Sequence, residues 1–117
     1  ACPSYPFDLI NKVRKAVAVE GPAYLHVLSP CPTGWRHPSD LAVRMGRLAV
    51  ETGVFPLYEV ENGKYKLNFD FPKLRPVVDY LKPQGRFRHL PAEEIERIQE
   101  QVTADYQELK KKAEAGT

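Results

Sequence analysis

One cysteine stands apart from the other residues in this chain that could do chemistry. Cys31 lies in Ser29-Pro30-Cys31-Pro32-Thr33-Gly34-Trp35, directly after an apolar run at residues 23–28. Each flanking proline fixes φ near about −65° and lacks a backbone donor, so the thiol has a restricted direction. Such a thiol could be a nucleophile or a zinc ligand. The other candidates, Cys2, His26, His37 and His89, show no close pairing of the Cys-x2-Cys or His-x3-His kind, which argues against a zinc site. His26 falls inside the apolar run and reads as a core histidine. A Cys-His nucleophile pair is open in principle, although no local protease signature surrounds Cys31. Gly34, Gly46 and Gly53 are scattered and form no phosphate loop; they read as turn and helix-end residues. Lys82, Arg86, Arg88 and His89 around Phe87 make one short basic-aromatic patch. It could take phosphate or nucleic acid, but reads better as a solvated turn that docks through Phe87 and pairs its charges with a neighbouring subunit. Trp35 reads as a shield over the cysteine loop rather than a substrate contact.

The elements that must position Cys31 follow from spacing. Phe7, Ile10, Val13 and Val17 recur at helical intervals, Ser4 can cap, Pro6 suits a first turn, and Gly21-Pro22 ends the helix. Residues 23–28 do not alternate, so they read as a strand buried on both faces, as in a parallel sheet. Ligands of open α/β sheets bind beyond the carboxyl ends of strands, which is where Cys31 lies. Helix followed by strand is the closing half of a βαβ unit. A second helix, with capping chemistry in Pro38-Ser39-Asp40, carries Leu41, Met45, Leu48 and Thr52 and stops at Gly53.

Asn62-Gly63 marks a two-residue type I′ hairpin. It pairs Val60 with Tyr65 and Tyr58 with Leu67 on an apolar, buried face, and Glu61 with Lys64 and Glu59 with Lys66 on a solvated one. A short helix at residues 77–81, a turn at Pro83-Gln84-Gly85, and a final helix from Pro91 complete the chain. The final helix has a narrow stripe of Ile95, Ile98, Val102, Tyr106 and Leu109, with acidic residues early and lysines late.

Composition bounds the class. The 117 residues are 43% hydrophobic and 27% charged, with a net charge of +2, an ordinary globular balance that gives no reason to expect nucleic acid or an anionic membrane as partner. No apolar stretch approaches the ~20 residues that span a bilayer, and the expected compartment is the cytoplasm. The chain starts Ala-Cys-Pro-Ser-Tyr-Pro with its only methionine at Met45, and is expected to be the C-terminal part of a longer one.

The run from Gly21 through Cys31 to Trp35 resembles the C-terminal region of the beta subunit of 2-oxoacid:ferredoxin oxidoreductases, particularly the pyruvate type. Pro3-Ser4-Tyr5-Pro6, the segment from Gly46 to Gly53, and Leu81-Lys82-Pro83-Gln84-Gly85-Arg86-Phe87 are similar to the same family. The resemblance implies an α/β fold: the C-terminal part of a thiamine-diphosphate-binding fold, a parallel sheet flanked by helices, with a hairpin and a terminal helical extension. It divides the chain into residues 1–55, closing the cofactor domain, and residues 56–117, the extension. It also implies that Cys31 is one of the four thiolates of a four-iron, four-sulfur cluster, the other three lying upstream. Thiamine diphosphate and magnesium would likewise be bound outside this segment, and Cys2 is not required as a ligand. The implied reaction is CoA-linked oxidative decarboxylation of pyruvate, or its reverse, with electrons passing to ferredoxin. Branched-chain 2-oxoacids or oxalate are the alternative substrates. The implied partners are the rest of the beta subunit and the other subunits. Two readings of other classes stand beside this one: a non-catalytic subunit-interaction module, and a nucleic-acid or nucleotide-binding fragment using the Arg86 to His89 patch.

Overall fold

A computed structural model describes residues 1–115, so the last two residues of the expected 56–117 extension lie outside the described residues. The elements are α1 (Pro6–Ala18), α2 (Pro32–Trp35), α3 (Ala42–Glu51), β1 (Tyr58–Glu61), β2 (Lys64–Leu67), α4 (Val78–Leu81) and α5 (Ala92–Ala115). Short 3-10 turns at Ser39–Leu41 and Gly85–Phe87 lead into α3 and out of α4.

The main core forms where α3, α4 and α5 meet. Met45, Leu48 and Ala49 of α3 pack with Val77, Tyr80 and Leu81, and Ile95, Ile98 and Val102 of α5 close over them. A narrow stripe suffices for α5 because one face of the helix has a partner; each such side chain is partly buried and contributes part of the about 1.5–3 kcal/mol that full burial gives. A second cluster holds Cys2, Val50 and Leu57, edged by Tyr5, Phe69 and Phe71. Tyr106 joins α5 to this side of the molecule. Its hydroxyl accepts from the Phe71 N–H at 3.3 Å and donates to the Phe69 carbonyl at 3.4 Å. The two clusters share Phe55.

The hairpin has the expected register, Tyr58 opposite Leu67, Glu59 opposite Lys66, Val60 opposite Tyr65 and Glu61 opposite Lys64. Both turn residues have positive φ, 53° at Asn62 and 77° at Gly63, as a type I′ turn demands. Its apolar face is less covered than expected: Tyr58 and Val60 are exposed, and Tyr65 and Leu67 are half-buried. The opposite face is the better tethered one. Glu59 accepts from Lys15 of α1 and from Asn68, and although burial works against it, these bonds hold its carboxyl below the ordinary 4.5. Because nothing lies within 4 Å of a Cβ built on Gly63, Gly63→Ala is expected to cost only its backbone strain, about 1 kcal/mol. Denaturant melts of the intact subunit check this, with activity per folded enzyme unchanged.

Three expectations are corrected. Residues 23–28 form no strand, and all but Leu28 are exposed. An apolar run becomes a buried strand only when neighbours supply its ladder, and the one sheet among the described residues is the two-stranded hairpin. A single rung is nevertheless present. The Ala1 amine donates to the His26 carbonyl at 2.7 Å, and the Leu28 N–H donates to the Ala1 carbonyl at 2.9 Å. Two bonds from one residue to positions i−1 and i+1 of a neighbour are the slanted pattern of a parallel pair. The apolar stripe of α1 also faces outward, with Phe7 and Val17 each 80% exposed. Inward, α1 presents Lys12, paired with Asp8 at 2.7 Å. Finally, neither α1 nor the turn before α3 is capped by a side chain. Ser4 Oγ donates instead to the Val43 carbonyl at 2.8 Å, tying the chain start to α3.

Candidate functional site

Cys31 is the N-cap of α2, with extended backbone (φ −125°, ψ 100°) and proline following at the first helical position. Its Sγ accepts from the Gly34 N–H at 3.3 Å, and its carbonyl accepts from Trp35 N–H at 2.8 Å. The thiol is free and exposed. That combination fits one ligand of a shared metal centre, since the sulfur is accessible and receives the N–H···S bond by which proteins tune cluster thiolates. It fits no more than one ligand. Among the described residues no group of three or more His, Cys, Asp or Glu could hold a metal ion.

Among the described residues the other candidates form no metal-holding group of three or more with Cys31. Cys2 is fully buried beside Val50 and Leu57, in keeping with its reading as a small apolar residue. His26 is exposed rather than a core residue, because the run that contains it is unpaired; its ring meets the edge of Phe55 at 5.1 Å. His37 is the buried histidine. Its Nδ1 lies 2.8 Å from the Pro38 carbonyl, and its Nε2 has no partner among the described residues. His89 is exposed.

Around Cys31 the sequence reading missed a polar and aromatic cluster. The Arg86 guanidinium lies 4.4 Å from the Trp35 ring centroid and 4.5 Å from that of Phe87. Its Nε donates to Gln84 Oε1 at 2.7 Å, and Gln84, fully buried, donates through Nε2 to the Tyr80 carbonyl at 2.7 Å. Tyr80 meets Trp35 edge-on at 5.9 Å, and burial raises its hydroxyl above the usual 10.0, against the pull of Arg86. Arg86 is therefore engaged within the chain, where a salt-bridging, solvated turn was expected. Lys82, Arg88 and His89 are exposed, as that reading requires. Trp35 is held by the chain itself and forms the contact between α2 and the turn after α4. Gln84 carried a weak signal, a glutamine between proline and glycine; its complete burial had none.

No protein-family model matches the chain. Curated proteins do. The chain is 53% identical over 102 residues to "Pyruvate synthase subunit PorB" of Methanocaldococcus jannaschii, covering 87% of this chain and 34% of that protein. It is 47% identical over 113 residues to "Ketoisovalerate oxidoreductase subunit VorB" of Pyrococcus furiosus, covering 95% and 36%. A third relative, the PorB subunit of Methanothermobacter marburgensis, is 49% identical over 107 residues, covering 92% and 37%. The chain thus spans about a third of the length of the curated relatives it matches.

Proposed function

Because this chain belongs to the family of 2-oxoacid:ferredoxin oxidoreductase beta subunits, we propose that it works as part of an enzyme coupling 2-oxoacid decarboxylation to ferredoxin reduction. The 2-oxoacid loses carbon dioxide, its acyl group passes to the thiol of coenzyme A, and the electron pair released leaves one electron at a time for ferredoxin; the reverse direction consumes reduced ferredoxin. When bound, thiamine diphosphate with magnesium supplies the electron sink for decarboxylation and the iron-sulfur cluster supplies the one-electron acceptor. The observation that carries the proposal is the identity of 47–53% across nearly the whole chain.

In this reading Cys31 gives one of four cluster thiolates, and the other three come from residues outside this chain. The bond from Gly34 N–H to Sγ orients the sulfur, and Pro30 and Pro32 restrict the direction in which the loop presents it. Residues 1–55 close a thiamine-diphosphate-binding α/β domain and residues 56–117 extend it. The parallel rung at Ala1 and the outward apolar face of α1 support that fold, since both suit a sheet supplied from elsewhere in the enzyme. The partners are the remaining subunit length, the other subunits, ferredoxin, the 2-oxoacid and coenzyme A. No helix among the described residues is long and apolar enough to cross a membrane. Two unpaired cysteines suit the reducing cytoplasm.

Pyruvate is the proposed substrate, after the 53% and 49% identity to two pyruvate synthase subunits; because ketoisovalerate subunits at 47% and 46% lie above other pyruvate synthase subunits at 42% and 40%, branched-chain 2-oxoacids are the second reading. Anaerobic assays of the intact complex with each acid, coenzyme A and ferredoxin, alongside iron and sulfide analysis, test both. Pyruvate-dependent ferredoxin reduction by an iron-containing complex is the expected result. Faster turnover of the branched acid would reassign the substrate, and a complex with neither iron nor activity would overturn the proposal.

A further inference from the structure

A helix of four residues cannot hold itself together, because nucleating the first turn costs more than its one or two hydrogen bonds return. The turn that presents Cys31 is such a helix, Pro32–Trp35, and its geometry must come from contacts made elsewhere in the chain. Two contacts supply it. Trp35, the last residue of α2, is covered by Arg86 at 4.4 Å and by Tyr80 at 5.9 Å. Arg36, left-handed at φ 59° and ψ 61°, accepts through its carbonyl from the Gly85 N–H at 2.8 Å. The approach is close enough that a Cβ on Gly85 would lie 2.6 Å from Arg36 Cβ.

From this we propose that Arg86 is a positioning residue for the Cys31 ligand, clamping the cysteine turn by stacking between Trp35 and Phe87 while Gln84 holds its guanidinium. The inference rests on the assignment of Cys31 as a cluster ligand. Arginine is needed for its shape: a planar guanidinium covers two rings and still donates in its own plane to Gln84 Oε1. Lysine keeps the charge but cannot do both. Gln84 is itself fixed, since it is fully buried with its Nε2 bonded to the Tyr80 carbonyl. The chain of contacts therefore runs from the α3–α4 core through Tyr80 and Gln84 to Arg86, then to Trp35 and Cys31. Without the clamp, the turn samples other conformations and the thiolate leaves its iron more often.

The test uses the intact enzyme complex carrying Arg86→Lys, Arg86→Met, or Arg88→Met as a control with an exposed arginine two residues away. Release of iron to a ferrous chelator is followed anaerobically. The reduced-state EPR signal of the cluster that Cys31→Ser removes is recorded beside it. Loss of a partner that orients a metal ligand typically weakens a site by about 10- to 100-fold, so both Arg86 variants are expected to release iron at least roughly tenfold faster, with an altered EPR signal. Arg88→Met should match the wild type. Trp35→Leu, which removes the stack from the other side, should reproduce the acceleration even if an Arg86 variant assembles poorly. Acceleration in Arg86→Met but not Arg86→Lys would mean that only charge matters and would overturn the clamp. So would lower melting temperatures with wild-type iron release and EPR. If Cys31→Ser itself keeps every cluster, the ligand assignment falls and takes the clamp with it; if it loses one while the Arg86 and Trp35 variants behave as wild type, the clamp alone is wrong.

Discussion

In the intact enzyme, Cys31→Ser is expected to remove one iron-sulfur cluster, seen as lost iron and sulfide and a missing low-potential EPR signal. A serine hydroxyl is hard and stays protonated near neutral pH, whereas the cluster irons need soft thiolates. Ferredoxin reduction by 2-oxoacid should fall by roughly 100-fold or more, the upper end of what even an outer partner of a metal ligand is worth. The structure makes this substitution unusually clean. Position 31 is the N-cap of α2, with its side chain already accepting from the Gly34 N–H, and serine is among the best residues in that role. The turn should therefore persist, and loss of the cluster could not be blamed on local unfolding. Full iron content with an unchanged signal would show that Cys31 is no ligand. Cys2→Ala in the same enzyme should retain the cluster, because Cys2 is enclosed with Val50 and Leu57.

The largest stability effect is expected at Gly46, in the middle of α3. A Cβ there would lie 3.0 Å from Cys2 Sγ and well inside contact distance of Ser4 Oγ. Turning Ser4 away breaks its bond to the Val43 carbonyl, about 1 kcal/mol. Shifting Cys2 disturbs a closed core, and overpacking typically costs about 1–3 kcal/mol. Against these stands a helix-propensity gain of about 0.8–1.0 kcal/mol on replacing glycine by alanine. The clash wins. Gly46→Ala should destabilise the subunit by about 2 kcal/mol, measured by denaturant unfolding, with amide protection lost first around the start of α1. A variant that unfolds at higher denaturant than the wild type would mean that propensity outweighs packing here.

Local chemistry made part of this fold readable. Asn62-Gly63 and strict alternation fixed the hairpin register pair by pair. Gly53, at φ 82°, ends the α3 region as expected, and Ile95, Ile98 and Val102 lie on the core as their spacing required. The failures concern relations between distant segments. The runs in α1 and at residues 23–28 disclose their own apolarity but not what covers it, so the sequence could not say that both face outward here. Hydroxyl residues before a helix suggest a cap, yet the Ser4 hydroxyl instead donates to the Val43 carbonyl, 39 positions away. The proline-framed loop at Cys31 was legible, although the buried strand expected before it does not form. Its clamp was not, because Trp35 and Arg86 meet only after the chain has folded back, and a basic cluster beside phenylalanine has the same composition whether it is solvated or stacked.

The unpaired stretch before Cys31 has a further consequence, for cleavage. A protease needs several consecutive residues of backbone free to enter its cleft, and the chain from about Glu20 to Val27 is exposed and lies outside any helix or strand. The Ala1 rung and the His26–Phe55 ring contact are the tethers near its far end, so little free energy stands between this connector and a cut-competent form. Handled apart from its partners, the chain should be nicked there first, with α1 held afterwards by Cys2, Ser4 and the Lys15–Glu59 pair. Once neighbouring strands cover the stretch, the same bonds become inaccessible. Resistance to chymotrypsin or thermolysin at these residues is thus a direct gauge of whether the sheet has closed around the segment that leads to the cysteine.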